Sequence, residues 1–308
     1  MKVAALDLGS NTFLLLIAEV EKSKVTQIYC EECQVTRLGQ GVDETREFHQ
    51  EALERAKNCL CYYGGLIKQH QPEKVMAVAT SAVRDVKNHD EFFAIASANS
   101  IPVKVISGDM EARMTFMGAL SDLVSDQNYW VIDVGGGSTE IIFGSKNHLQ
   151  GQSLDLGCVR LTEQFITAHP ISSEELSRMR EFTCQQLKVL NQEASPGQGP
   201  IVAVAGTPTT LAAVLLEVPM GAEKIHGFEI NLDTLKIWIK RLAGMTVEER
   251  AQLPGMEPLR ADVIVAGLVI LSEATQHLGG KSVLVSTRGV RYGLALEMEN
   301  EDSRLLVD

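Results

Sequence analysis

Hydrophobic positions along the chain fall into short, nearly continuous runs bounded by Gly, Asp, Ser and Asn. These runs alternate with longer stretches in which apolar residues recur at helical spacing. The short runs read as buried strands and the longer amphipathic stretches as helices. The most informative feature is a repeat. From Ala5 the sequence reads A-L-D-L-G-S-N-T-F-L-L-L-I, and from Val131 it reads V-I-D-V-G-G-G-S-T-E-I-I-F. Each segment is an apolar strand ending in Asp, a turn rich in Gly and hydroxyl groups, and a second apolar strand. The same hairpin thus occurs twice, about 126 residues apart, as two homologous lobes would produce.

Both hairpins lead into a similar succession of elements. After the first come a third strand over Lys24 to Gln34, a helix over His49 to His70, a strand over Lys74 to Ala79 and a helix over Asn88 to Ala98. A strand over Val103 to Ile106 and a helix over Met110 to Leu123 complete the lobe. After the second hairpin, Asn147 to Asp155 reads as a third strand, with helices over Cys158 to Thr167 and Ser173 to Asn191 beyond it. The latter opens with Ser172 and Glu175 at capping-box spacing. A Ser, Pro and Gly segment (Ser195 to Pro200) leads to a strand over Ile201 to Ala205 and a helix from Thr209. Helices over Leu232 to Leu242 and Arg260 to Leu278 come next, the second stopped by Gly279 and Gly280. A strand over Val283 to Ser286 and a last helix from Gly289 end the pattern. Strands alternating with helices after a hairpin opening predict α/β lobes with mixed sheets. The expected division is 1–124 and 125–292, with the final helix, about 293–308, packing back on the first lobe.

Composition narrows the function. At 308 residues the chain is long enough for two domains. A net charge of -12 argues against a nucleic-acid binder, whose footprint is a basic face, but leaves room for a local anion site. The longest late apolar run, Val263 to Leu271, falls well short of the roughly 20 residues that span a bilayer. With no secretory segment visible, a cytoplasmic protein without a membrane partner is expected. The cysteines (Cys30, Cys33, Cys59, Cys61, Cys158 and Cys184) read as reduced, mostly buried thiols, and the histidines have no metal-ligand spacing.

The candidate chemistry sits in loops at strand ends. Gly9, Ser10, Asn11 and Thr12 follow Asp7, and Gly135, Gly136, Gly137, Ser138 and Thr139 follow Asp133. Both turns can present consecutive backbone N–H groups to a phosphate, with glycine permitting close approach. Asp133 and Glu140 bracket the second turn, and a carboxylate entering an apolar strand fits a hard cation such as Mg²⁺ held with phosphate oxygens. Arg84, after the strand ending at Ala79, can grip a phosphate by paired hydrogen bonds. Glu111 lies in the first turn of a helix, where the helix dipole also favours acids, so its chemistry alone leaves catalysis and capping open. Arg113 is placed to pair with a nearby acid. The loops Ala205 to Thr210 and Ser286 to Gly293 also lie at strand ends, the edge where open α/β sheets bind ligands.

The strings ATSAVRDVKN, ISGDMEARMTFMG, VIDVGGGSTEI, AVAGTPTTLAA and STRGVRYG resemble the exopolyphosphatase and guanosine pentaphosphate phosphohydrolase (Ppx/GppA) family, in its short two-domain form. The resemblance runs over nearly the whole chain. It implies two actin-like, ribonuclease H-like lobes with an interlobe cleft, and Glu111 as the base that activates a water. It further implies Asp133 and Glu140 as metal ligands, with Asp7 a further candidate, and Mg²⁺ or another divalent cation as cofactor. Phosphate would be bound by Gly9, Ser10, Asn11, Thr12, Arg84, Gly135, Gly136, Gly137 and Ser138. Gly206 and Thr207 would form the superfamily's nucleotide loop. Inorganic polyphosphate or guanosine pentaphosphate would be the substrate, and lobes of this type often form homodimers.

The sequence departs from the family pattern at Leu14, where many members carry Arg or His, and it stops at Asp308, ahead of the helical domain of longer members. Two other readings compete: an ATPase or kinase of the actin-like superfamily, and a non-enzymatic sensor of polyphosphate or guanosine alarmones.

Overall fold

In the computed structural model, which describes residues 1–79, 83, 86–122, 127–145, 148–190, 197 and 199–299, the first repeat forms β1 (Lys2–Leu8) and β2 (Thr12–Glu21). They pair antiparallel, and β2 pairs in turn with β3 (Lys24–Val35). On the other side β1 runs parallel to β4 (Lys74–Ala79), and β4 parallel to β5 (Val103–Val105). The order is β3-β2-β1-β4-β5.

The continuous apolar runs of β1 and β2 exist because both faces of this sheet are covered. Ala4, Leu6, Leu8, Phe13, Leu15 and Ile17 point to one face, against Leu53, Ala56, Leu60 and Tyr63 of the helix Gln50–His70. Val3, Ala5, Leu16 and Ala18 point to the other, against Met114 and the last helix, Val290–Glu299. That last helix is fastened by charge as well as by packing. Arg291 donates to the carboxylate of Glu31 and, at 3.1 Å, to the carbonyl of Glu32 on β3.

The second repeat forms β6 (Tyr129–Val134) and β7 (Thr139–Ser145), with β8 (His148–Leu154) antiparallel beyond them. β9 (Ile201–Val204) lies parallel to β6, and β11 (Ser282–Val285) parallel to β9. The order β8-β7-β6-β9-β11 reproduces that of the first sheet, with the short β10 (Glu229–Asn231) added antiparallel at the β11 edge. Both are mixed sheets flanked by helices, the α/β class expected from the sequence. By internal packing the chain divides into Met1–Val124 with Arg288–Asp308, and Ser125–Thr287.

Several elements differ from the sequence expectation. The long helix expected from Arg260 starts at Ile264 and is preceded by a 3-10 turn over Pro258–Arg260. The buried guanidinium of Arg250 donates to the carbonyls of Leu242, Met245 and Ala261, and the last of these bonds holds the turn out of the helix. The helix expected from Thr209 already begins at Gly206, with Pro208 accommodated in its first turn, where no N–H is needed. A short helix, Val247–Ala251, and strand β10 are additions to the expected elements. Only Cys59 and Cys158 are buried, so the expectation of mostly buried thiols is corrected: Cys33, Cys61 and Cys184 are exposed, Cys30 half-buried, and all six are unpaired. No helix among the described residues is long and apolar enough to cross a membrane.

Candidate active site

In the second unit the turn after Asp133 closes when the Gly135 N–H donates to the Ser138 carbonyl at 2.9 Å. The start of the helix Cys158–Phe165 then packs against it. Cys158 N–H donates to Gly135 O at 2.9 Å, Val159 N–H to Gly136 O at 3.0 Å, and Arg160 Nε to Gly137 O at 3.1 Å. A trans peptide sets its N–H opposite its C=O. With three carbonyls turned to that helix, the N–H groups of Gly136, Gly137 and Ser138 face the other way, and among the described residues they have no acceptor. Consecutive outward amides make an anion nest. The packing is possible because Gly157 lacks a side chain: a Cβ there would lie 2.1 Å from Gly136 O.

Directly behind this nest Asp133 and Glu140 are cross-strand partners. Glu140 is 1% exposed, and Ser153 Oγ donates to its Oε1 at 2.7 Å. Two carboxylates on one face of a ladder, one of them buried, supply the hard oxygen ligands that Mg²⁺ prefers. Among the described residues no group of three or more Asp, Glu, His or Cys gathers in metal-binding fashion. A cation here would take its remaining ligands from phosphate and water.

The first unit repeats the construction. Gly9 N–H donates to Thr12 O at 3.1 Å, the counterpart of the Gly135 bond. The Ser10 carbonyl accepts from Gly39 N–H at 2.7 Å, and that of Asn11 from Thr36 and Arg37 N–H at 3.0 Å. By the same peptide geometry the amides of Asn11 and Thr12 turn the opposite way. Arg55 braces the segment by donating from Nε to Thr36 O at 2.6 Å. The Asn11 side chain is 5% exposed, and neither of its polar atoms has a hydrogen-bond partner among the described residues. A buried amide left this way calls for a ligand or water. Asp7 stands opposite Leu14, the position that Glu140 fills in the second hairpin.

Glu111 lies in the first turn of the helix Gly108–Ala119, whose N-cap Ser107 accepts from Met110 N–H at 3.3 Å. Asp109 occupies the same turn and is exposed, whereas Glu111 is 8% exposed. Complementing the helix dipole requires no burial, so Asp109 suffices for that role and Glu111 needs another reason. Arg113 forms the expected ion pair, with Glu297 of the last helix at 3.5 Å.

At the end of β9, Ala205 holds φ 70° and ψ -168°, a region that is nearly glycine-only and costs a side chain roughly 1–3 kcal/mol. The guanidinium of Arg260 packs on the next residue, Gly206, where a Cβ would fall 1.8 Å from Nη1. Arg260 is buried, at 7% exposure. It also lies close enough to Cys158 to oppose the effect of burial, which pushes that thiol up to about 11. Thr207 is buried against Gly267 of the helix Ile264–His277. Sequence reasoning misses the packing of Arg260 on Gly206 because its neighbourhood reads as the start of a helix. Pro258, two positions earlier, is the available signal that the helix begins later.

The sequence profile of the Ppx/GppA phosphatase family matches residues 16–302. The chain belongs to the Ppx/GppA phosphatase family. It is 37% identical to exopolyphosphatase 2 of Mycobacterium tuberculosis over 96% of this chain and 98% of that one. The crystal structure of the Aquifex aeolicus Ppx/GppA family member is similar at TM-score 0.81 and 32% identity, over 98% of this chain and 99% of that one. An exopolyphosphatase from Cytophaga hutchinsonii is similar at TM-score 0.84 and 26% identity, over 97% of each chain.

Of the positions singled out by the Ppx/GppA resemblance, Gly135, Gly136, Gly137, Ser138, Asp133 and Glu140 are assembled on one hairpin of the second unit, and Gly206 and Thr207 open a helix of the same unit. Asp7, Gly9, Ser10, Asn11, Thr12 and Glu111 belong to the first unit. Arg84 lies outside the described residues.

Proposed function

We propose that this Ppx/GppA family member is a phosphohydrolase that releases terminal orthophosphate from inorganic polyphosphate, with guanosine pentaphosphate as a second substrate of the same chemistry. The observation that carries the reading is the row of outward amides at Gly136, Gly137 and Ser138, backed by the Asp133 and Glu140 carboxylates. A nest of amides binds a phosphoryl group, and the acids behind it would repel that group unless a cation neutralised them.

Asp133 and Glu140 would hold Mg²⁺, which supplies charge neutralisation for the phosphoryl oxygens. The nest, with Arg84 and the buried Arg260, orients the terminal phosphoryl group. Glu111 takes a proton from water as the water oxygen bonds to the terminal phosphorus. The P–O bond to the bridging oxygen breaks, and that oxygen leaves with the shortened chain. The proton then returns to product or solvent. Positioning and charge account for most of the acceleration in such reactions.

The test is phosphate release with Mg²⁺ from long-chain polyphosphate, guanosine pentaphosphate and ATP, beside Glu111→Gln. Release from either of the first two, lost in the variant, is expected. Release from ATP alone would replace this reading with an ATPase. Tight binding of polyphosphate with no release would replace it with a sensor.

A further inference from the structure

On the helical side of the second unit, Ile264–His277 lies between Ser173–Leu187 and Leu232–Ala243. Over its exposed strip the three helices leave a groove of about 600 Å³. Glu273 forms the floor. Its Oε1 faces Arg180 Nε at 3.7 Å, and its Oε2 accepts from Cys184 Sγ at 3.4 Å. Lys188 stands on one wall, Lys236 and Lys240 on the other.

The charges in this groove do not cancel. Glu273 is engaged by Arg180 and Cys184, and Glu181 accepts from Ser177 Oγ at 3.2 Å. Lys236 donates to the neutral side-chain oxygen of Gln276 at 2.7 Å. Among the described residues no carboxylate lies within ion-pair distance of Lys188, Lys236 or Lys240. Lys236 and Lys240 are one helical turn apart, so their charges repel on one face. In a chain of net charge -12, three such lysines around one concavity are a local reversal of sign.

The lining also limits what kind of anion fits. Among the described residues no aromatic side chain lines it, so none of them would stack a nucleic-acid base. Cations spaced along two walls match a flexible linear anion charged at every repeat.

We propose that this groove is a second, non-catalytic site for a linear condensed phosphate. It rests on the phosphohydrolase reading only for the choice of that anion. Two sources share the chemistry: a distal stretch of the polymer undergoing cleavage, or a separate short oligophosphate.

The experiment is calorimetric titration of the full chain with tripolyphosphate in EDTA. It compares the parent, Lys236→Gln/Lys240→Gln, Lys236→Arg/Lys240→Arg, and a control with the same charge change on the first unit, Lys57→Gln/Lys68→Gln. The Gln pair is expected to lose one class of sites or weaken it tenfold or more, while the Arg pair and the control keep it. Identical isotherms for all four proteins would overturn the proposal. So would equal displacement of the bound anion by sodium chloride at matched ionic strength. If the Gln pair fails to fold, Lys188→Gln reads the same loss. A raised KM for long-chain polyphosphate but not for tripolyphosphate would assign the groove to the polymer's distal stretch. An effect of added tripolyphosphate on the rate of the parent, absent in the variant, would assign it to a separate oligophosphate. Since binding is read without turnover, failure of the groove leaves the hydrolysis reading standing. Absence of phosphate release equally leaves the groove result standing.

Discussion

Asp133 and Glu140 stand directly opposite one another across the β6–β7 ladder, where the matching pair of the first hairpin is Asp7 and Leu14. Like charges facing each other on neighbouring strands destabilise a sheet by roughly 0.2–1 kcal/mol, and burial of Glu140 adds to the cost. A site built this way would be stabilised by a bound cation. Asp133→Asn is therefore expected to melt higher than the parent in EDTA and to lose phosphate release. Mg²⁺ should raise the melting temperature of the parent and leave that of the variant unchanged. A scanning-calorimetry series with and without Mg²⁺ checks both; an equal Mg²⁺ shift in the two proteins would remove Asp133 from the metal site.

The contrast between Glu111 and Asp109 gives a second prediction. Both lie in the first turn of one helix, so neutralising either should cost a similar dipole contribution, about 0.3–1 kcal/mol. Only Glu111→Gln should reduce phosphate release, by roughly 10²–10⁴-fold, the usual value of a general base. Asp109→Asn should keep near-parent activity. Steady-state rates on polyphosphate decide, and equal losses in the two variants would make Glu111 a capping residue.

Ala205 and Gly206 are in the reverse of the order that backbone strain alone would favour. Ala205→Gly relieves a left-handed backbone at about 1–3 kcal/mol of strain, less the ~0.4–1 kcal/mol of added freedom in the unfolded chain. A net gain of about 1 kcal/mol in denaturant stability is expected. Gly206→Ala drives a methyl into the Arg260 guanidinium and should destabilise the fold and lower activity together. Urea titrations of the two variants read opposite signs if the Gly206–Arg260 contact holds.

Glu175 carries a prediction about pH. It accepts from Thr167 N–H at 2.8 Å and Ser172 Oγ at 2.7 Å, among others, and these bonds hold its carboxyl down to about 2 from an ordinary 4.5. A lowered folded-state pKa contributes stability that is fully present above the unfolded value and lost as pH falls through the folded one. The stability difference between the parent and Glu175→Gln should be constant near neutrality and shrink between about pH 4.5 and 2. Denaturation midpoints across that range test it, and a difference independent of pH would show that the bonds do not depend on ionisation.

Much of this is legible in the sequence because it is local. The two hairpins announce themselves by apolar runs and by turns whose glycine and hydroxyl residues are needed within a few positions. The capping box at Ser172 and Glu175 forms as its spacing predicts, and the same pattern at Thr246 and Glu249 marks the unexpected helix Val247–Ala251. β10 is illegible: three residues carry no periodicity, and the strand is fixed by its pairing with β11.

The sequence by itself determined the two-fold plan of strands and helices, the turn chemistry and the family, since each depends on residues adjacent in the chain. Only the tertiary structure decided which face each acid and amide turns to. The nest at Gly136 to Ser138 exists because a helix starting at Cys158 takes the carbonyls. Arg260 comes to lie on Gly206 because Arg250 holds its turn and Gly206 leaves it space. Those contacts join residues distant in the chain, and periodicity and propensity have no means of registering them.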